Sequence, residues 1–278
     1  MKSYRFGEAP STPNSQSYRF LVIGAHPDDC DLLAAGLAMK MLQKGHEVFF
    51  LSATDGSAGH QSMSREELAA RRAGECEKAG ELLGLTYETL PIPDGELTAD
   101  LPYRRMLMKR IREIAPDVIL THRTCDYHPD HRACGQLVMD CAYMVRVPLF
   151  CPEIPCPSYE PVILSVWDSF TRPLPFQPDL VVPSDRYVEE KISACLCHVS
   201  QFYEWLPHIN GWSEIQTAAT FEEKTKLLRD YLRERFTLEA SLYPQMLPEG
   251  TRYAESFQWN EYGAPLTDTL RRVILGNE

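Results

Sequence analysis

Positive charge is scarce in this chain. Its 28 Lys and Arg stand against 39 Asp and Glu, a net charge of −11, and no basic run occurs in the 278 residues. Nucleic acid and anionic membrane surfaces both require basic patches, so neither is expected as a partner. Long apolar runs are also missing, and no window approaches the roughly 18 apolar residues of a membrane span. Met1 to Gln16 is polar, contains Ser and Pro, and lacks an apolar h-region; it reads as a loose tail and not as a signal peptide. Internal repeats, low-complexity segments and clean linkers are absent, which predicts one domain over 17–278. No Gly-x-Gly-x-x-Gly follows the first strand, so a dinucleotide site is not indicated. Paired cysteine spacing is lacking too. The nine cysteines are odd in number and scattered, some of them, such as Cys134 and Cys141, in apolar helical contexts. Free thiols in a cytoplasmic protein are expected, Cys151 and Cys156 included.

What is present is ordinary for a globular protein: 44% apolar and 24% charged residues. The stretch Phe20-Leu21-Val22-Ile23-Gly24 reads as a buried strand running into Ala25-His26-Pro27-Asp28-Asp29. Strands are then predicted at 47–52, 86–90 and 118–121, alternating with helices at 31–43, 64–83, 103–114 and 131–147. Ser64 with Glu67 forms a capping box, and Gly45 and Gly84 end helices. This alternation predicts a Rossmann-like α/β fold, a mostly parallel sheet with helices on both faces. Nine prolines between 148 and 183 break regular structure and leave two short strands, 162–167 and 180–182. That segment suits one wall of a pocket or a rigid surface connection. Helices at 186–205, 221–242 and near 266–275 complete a less regular C-terminal third.

Two polar clusters fall at strand carboxyl ends, where open α/β sheets bind ligands. The first holds His26, Asp28 and Asp29; the second, about a hundred residues on, holds Asp126, His128, Asp130 and His131. Two histidines, one carboxylate and an open position form a catalytic zinc recipe, and the remaining carboxylate and imidazole supply acid and base. His26 and Asp29 are three apart across a turn and can share one metal, with Asp28 directed at a water. His128 and His131 are also three apart, so one can ligate while the other faces substrate. Fe2+ suits the same ligand types.

Ala25-His26-Pro27-Asp28-Asp29 with His128-Pro129-Asp130-His131 closely resembles the PIG-L/LmbE-like zinc-dependent de-N-acetylase family. The resemblance extends to Thr54-Asp55-Gly56, Arg72 to Gly84, Asp94-Gly95, Pro116-Asp117-Val118 and His198 to Gln201, and more weakly to Ala254-Glu255-Ser256-Phe257. It implies His26, Asp29 and His131 as zinc ligands, Asp28 as general base, and His128 as proton donor to the leaving amine or oxyanion stabiliser. Asp130 would orient a neighbouring histidine, and Arg72 and Asp94 would contact the sugar. The implied reaction hydrolyses an N-acetyl group on a GlcNAc-type sugar or conjugate, releasing acetate. A non-catalytic metal or sugar binder, or an amidase acting on a thiol or antibiotic conjugate, would use the same scaffold. The chain departs from the family at Cys30, where Glu is usual, followed by Asp31.

His122 reads as a hydrogen-bonded structural group near the site. Arg72 could pair along its own helix, and Cys195, Cys197 and His198 read as core and not as a second metal site. Trp167, Tyr203, Trp205 and Trp212 read as core aromatics or as sugar platforms. A homo-oligomer is compatible with the Pro-rich loops, but the sequence does not locate an interface.

Overall fold

Phe20 and Val22 pack on one face of the sheet, and Leu21 and Ile23 pack on the other. That double burial is what a continuous apolar run requires of a central strand. The computed structural model describes residues 17–276, so the tail read at 1–16 lies outside the described residues. The chain runs β1 (Arg19–Gly24), α1 (Asp29–Gln43), β2 (Glu47–Ser52), α2 (Arg65–Leu83), β3 (Thr86–Thr89), α3 (Leu101–Ile114), β4 (Val118–Thr121), α4 (Pro129–Met144) and β5 (Val162–Val166). β6 (Leu180–Pro183) and α5 (Val188–Cys195) follow, then a π-helical turn at Ser200–Trp205. The chain continues through α6 (Leu206–Asn210), α7 (Ser213–Thr217), α8 (Phe221–Phe236), α9 (Leu238–Leu242), β7 (Ala254–Asn260) and α10 (Asp268–Leu275).

The sheet order is β3-β2-β1-β4-β5-β7-β6. The first five strands are parallel, with Val22 opposite both Phe50 and Leu120. β7 lies antiparallel between β5 and β6. Chain direction along the sheet reverses at β1, which has β2 on one side and β4 on the other. The crevice at the carboxyl ends of β1 and β4 is therefore the topological switch point. α1 and α10 pack on one face of the sheet, α3 and α4 on the other. A third apolar cluster joins α5, the π-helical turn, α7 and α8, and reaches Leu32 on α1.

Local chemistry sets the helix ends. The Ser64 capping box forms as expected, and Thr220 with Glu223 makes a second one on α8. Asp100 caps α3 through the Tyr103 amide. Several boundaries differ from the sequence reading. The stretch 186–205 is not one helix, because α5 stops at Cys195 and the chain restarts as a π-helical turn. The stretch 221–242 breaks at Thr237. β7 was not expected at all.

Candidate active site

β1 ends at Gly24, where a Cβ would sit 2.6 Å from that of Asp29. Only glycine allows the turn to fold back this closely. The Asp29 carboxylate accepts the His26 amide at 2.8 Å, closing the turn. Ser52 and Thr54 at the end of β2 donate to the Ala25 carbonyl, at 3.3 and 2.8 Å. Asp28 has φ 152°, a strained conformation for a residue with a side chain. Its Oδ1 is held by Arg72 Nη2 at 2.8 Å.

The second cluster opens α4. His128 is the N-cap residue: its Nδ1 accepts the Asp130 amide at 3.2 Å. A neutral His128 ring therefore carries its proton on Nε2. The Asp130 carboxylate accepts the Gly95 amide at 2.7 Å and lies 3.3 Å from His26 Nε2, and Asp94 approaches the same nitrogen at 3.2 Å. Two carboxylates on His26 Nε2 fix its proton there and leave the Nδ1 lone pair free. His131 Nδ1 faces Asp126 at 3.2 Å, though not aligned as a hydrogen bond, which turns Nε2 inward.

Three electron-rich atoms then converge. His26 Nδ1 and His131 Nε2 are 3.3 Å apart, and Asp29 Oδ2 lies 3.5 and 3.6 Å from them. Bonds of about 2.0–2.1 Å to a tetrahedral ion place its donors about 3.4 Å apart. The spacing and the donor set both fit such a cation. His122 borders the group, with Nε2 3.2 Å from Asp29 Oδ2 and from the Ala25 amide, and its ring stacks on His131 at 4.1 Å.

Electrostatics follow from burial and neighbours. Burial pushes Asp28 up to about 6, against the pull of Arg72. Burial would also raise Asp29, but His131 and His122 hold it well below the usual carboxylate range. Burial lowers His26, yet Asp130, Asp29 and Asp94 together lift it well above its ordinary value. Asp94, despite burial, is pulled down to about 2 by His26. Burial, then His26 and His131, lower His128.

The cluster floors a cavity of about 470 Å³, within the range of ligand pockets. Residues 167–170, in the Pro-rich segment after β5, supply one wall. Arg123 pins that wall through a two-point pair with Asp168, both contacts at 2.5 Å. The π-helical turn adds Gln201 and Phe202, and α8 adds Tyr231 and Leu232. Trp167 and Trp212 line the cavity, whereas Trp205 and Tyr203 do not; Tyr203 stacks on Phe221 at 4.6 Å.

Of the seven residues of the two sequence clusters, His26, Asp28, Asp29, Asp126 and His131 line the cavity. His128 and Asp130 do not; they lie behind it against His26, at 4.5 Å between ring centroids and 3.3 Å from Nε2. Arg72 and Asp94 are placed otherwise than expected. They are 2% and 6% exposed, and neither lines the cavity. Their charges are spent on Asp28 and His26, so they brace the centre instead of facing a sugar. Cys30 points away from the cluster, its thiol donating to the Val22 and Leu51 carbonyls at 3.5 and 3.7 Å. The family departure there leaves the ring of donors intact. Asp31 instead pairs with buried His198 at 2.8 Å. All nine cysteines are free. No helix among the described residues is long and apolar enough to cross a membrane. The α8 contribution to the cavity carried no sequence signal, because its charged residues are mixed along the helix and mark no cavity-facing side.

Fold and site together define a Rossmann-like α/β protein with a His/Asp cluster at the β1–β4 crevice whose spacing suits a cation. Residues 21–142, which contain both clusters, match the family model described as PIG-L: GlcNAc-PI de-N-acetylase. The diacetylchitobiose deacetylase of Thermococcus kodakarensis is 30% identical over 209 residues, covering 71% of this chain and 77% of the relative. A probable N-acetyl-α-D-glucosaminyl L-malate deacetylase 2 of Bacillus subtilis is 32% identical over 137 residues, 44% of this chain and 60% of that protein. The solved N,N'-diacetylchitobiose deacetylase of Pyrococcus horikoshii, complexed with its inhibitor MPG, superposes with a TM-score of 0.70 at 26% identity, covering 93% of this chain and 91% of that one. The chain belongs to the PIG-L family of de-N-acetylases.

Proposed function

We propose that this protein is a zinc-dependent N-deacetylase acting on an N-acetylated, GlcNAc-type amino sugar or conjugate. His26, Asp29 and His131 would hold the ion. One observation carries this reading: His26 Nδ1, Asp29 Oδ2 and His131 Nε2 converge within 3.3–3.6 Å beside the strained carboxylate of Asp28. When bound, zinc supplies Lewis acidity to the amide carbonyl and lowers the pKa of a coordinated water toward about 7.

The chain's own groups supply the rest. Asp28, lifted to about 6, is ionised at neutral pH yet basic enough to accept a proton from the attacking water. The water oxygen bonds to the acyl carbon, the C–N bond breaks, and the proton passes to the departing amine, giving acetate and a free amino sugar. His128 presents Nε2–H to the oxygen or nitrogen that gains charge, because Nδ1 is occupied by the Asp130 amide. Asp94 and Asp130 orient His26, and Asp126 orients His131. Fe2+ would be accommodated by the same donors. The expected setting is the cytoplasm, where the nine thiols stay reduced.

Acetate release from a panel of N-acetyl sugars, including N,N'-diacetylchitobiose, tests the reading. The parent is expected to release one acetate per amine formed. Asp28→Asn should retain its metal and lose about two to four orders of magnitude in kcat. Equal rates for parent and variant would refute the assignment.

A further inference from the structure

The cavity carries one cation for which the chemistry above has no use. Arg235 is the only Lys or Arg among the described residues lining it. It sits near the end of α8, on the same cavity-facing stretch as Tyr231 and Leu232. Two neighbouring arginines on α8 are paired: Arg229 and Arg233 reach Glu189 at 2.9 and 2.8 Å. The Arg235 guanidinium has no hydrogen-bond or ion-pair partner among the described residues. The acids lining the cavity are already matched. Asp28 has Arg72, Asp168 has Arg123, and Asp29 and Asp126 face histidines. Beside Arg235, Tyr231 and Trp212 pack at 4.5 Å between ring centroids and offer an aromatic surface.

Arg235 is exposed at the border of the cavity. An unpaired guanidinium fork beside an aromatic wall matches an oxyanion, since its parallel N–H groups fit carboxylate and phosphate. We infer that Arg235 recognises a carboxylate or phosphate on the group attached to the amino sugar. The substrate is then an acidic conjugate of an N-acetylated sugar and not a neutral oligosaccharide. This rests on the deacetylase reading and refines it. Recognition and chemistry sit on different parts of the chain, with the base and cation cluster at the β1 and β4 ends and the oxyanion contact on α8.

Three N-acetylglucosaminides differing only at the para position of a phenyl aglycone (hydrogen, carboxylate or phosphonate) separate the alternatives. The parent should show kcat/KM about tenfold higher on an acidic probe than on the neutral one, with the ratio shrinking as salt rises. Arg235→Ala should bring the ratio close to one, and Arg235→Glu should invert it. A ratio is insensitive to the fraction of folded enzyme. The rates on carboxylate and phosphonate rank the two oxyanions. Calorimetric binding of the three deacetylated products makes the same comparison without turnover. An absent preference in the parent, or one unchanged in Arg235→Ala, overturns the inference. If no probe releases acetate but the products keep an Arg235-dependent preference, the deacetylase reading fails and the oxyanion site stands.

Discussion

Arg72 Nη2 lies 2.8 Å from Asp28 Oδ1, with both side chains buried. The same nitrogen donates to the Pro27 carbonyl at 2.6 Å, and Nη1 donates to the Gly56 carbonyl at 3.3 Å. One guanidinium thus ties the strained turn after β1 to the loop after β2. Its neighbours leave no slack: a Cβ at Gly56 would lie 2.8 Å from Arg72 Cδ.

Arg72→Met should be harmful in two separable ways. Removing one member of a buried pair strands the other, at about 3–5 kcal/mol, and urea unfolding reads that loss. Arg72 also opposes the upward push of burial on Asp28. Without it the carboxyl titrates higher, so the acid limb of kcat/KM moves to higher pH. A rate profile across about pH 5 to 8 checks this. An unmoved limb would mean that Asp28 is not the base.

Metal removal should abolish acetate release, and zinc should restore it. Asp29→Ala and His131→Ala are expected to purify with far less than one equivalent of zinc, whereas Asp28→Asn keeps a full equivalent. Elemental analysis of the purified proteins distinguishes them.

Glu239 gives a pH signature of stability away from the site. Burial pushes its carboxyl from 4.5 up to about 7; Lys191 pulls it down, and Glu255 adds to the rise. A raised folded-state value means the native state binds the proton more tightly than the unfolded chain. The associated stability is present below about pH 4.5 and is lost as pH rises through about 7. Glu239→Gln should flatten this dependence and stabilise the protein at about pH 8 relative to the parent. Urea midpoints at mildly acidic and mildly alkaline pH measure the difference.

Gly36→Ala runs against helix propensity. Alanine is favoured over glycine by about 1 kcal/mol inside a helix. Here the new Cβ would lie 2.8 Å from Ser184 Cβ and 2.9 Å from Glu255 Oε1. Glu255 is fixed by the Gly36 and Leu37 amides at 2.8 and 2.6 Å and by Lys191 at 2.6 Å, so it cannot retreat. A net loss of about 1–3 kcal/mol is expected by denaturant unfolding.

The cluster-bearing half of the chain was readable because its physics is local. Apolar runs named β1, β2 and β4, and the polar residues after β1 and β4 had to share the strand-end rim. Long-range pairing stayed hidden. β7 reads Ala-Glu-Ser-Phe-Gln-Trp-Asn, which lacks a strand's apolar run, and its buried Glu255 is tolerated only because Lys191 and two amides of α1 meet it. The break after Cys195 has neither Gly nor Pro to announce it. Arg72 and Asp94 were legible as residues near the site, but their direction is set by partners 44 and 68 positions away, Asp28 and His26. The cavity walls come from the segment after β5, the π-helical turn and α8, which only the folded chain brings together.

β7 has a consequence for how the protein is made. Among the described residues it is the last strand to leave the ribosome, yet it lies inside the sheet, and β6 pairs with no other described strand. Until Asn260 emerges, the outer edge of β5 stays open, with five residues that are fully buried in the finished molecule. Such an edge invites association with other chains. A premature stop before Ala254 would leave every cluster residue encoded, yet yield a chain with an unsealed sheet and an α1 that has lost its Glu255 anchor.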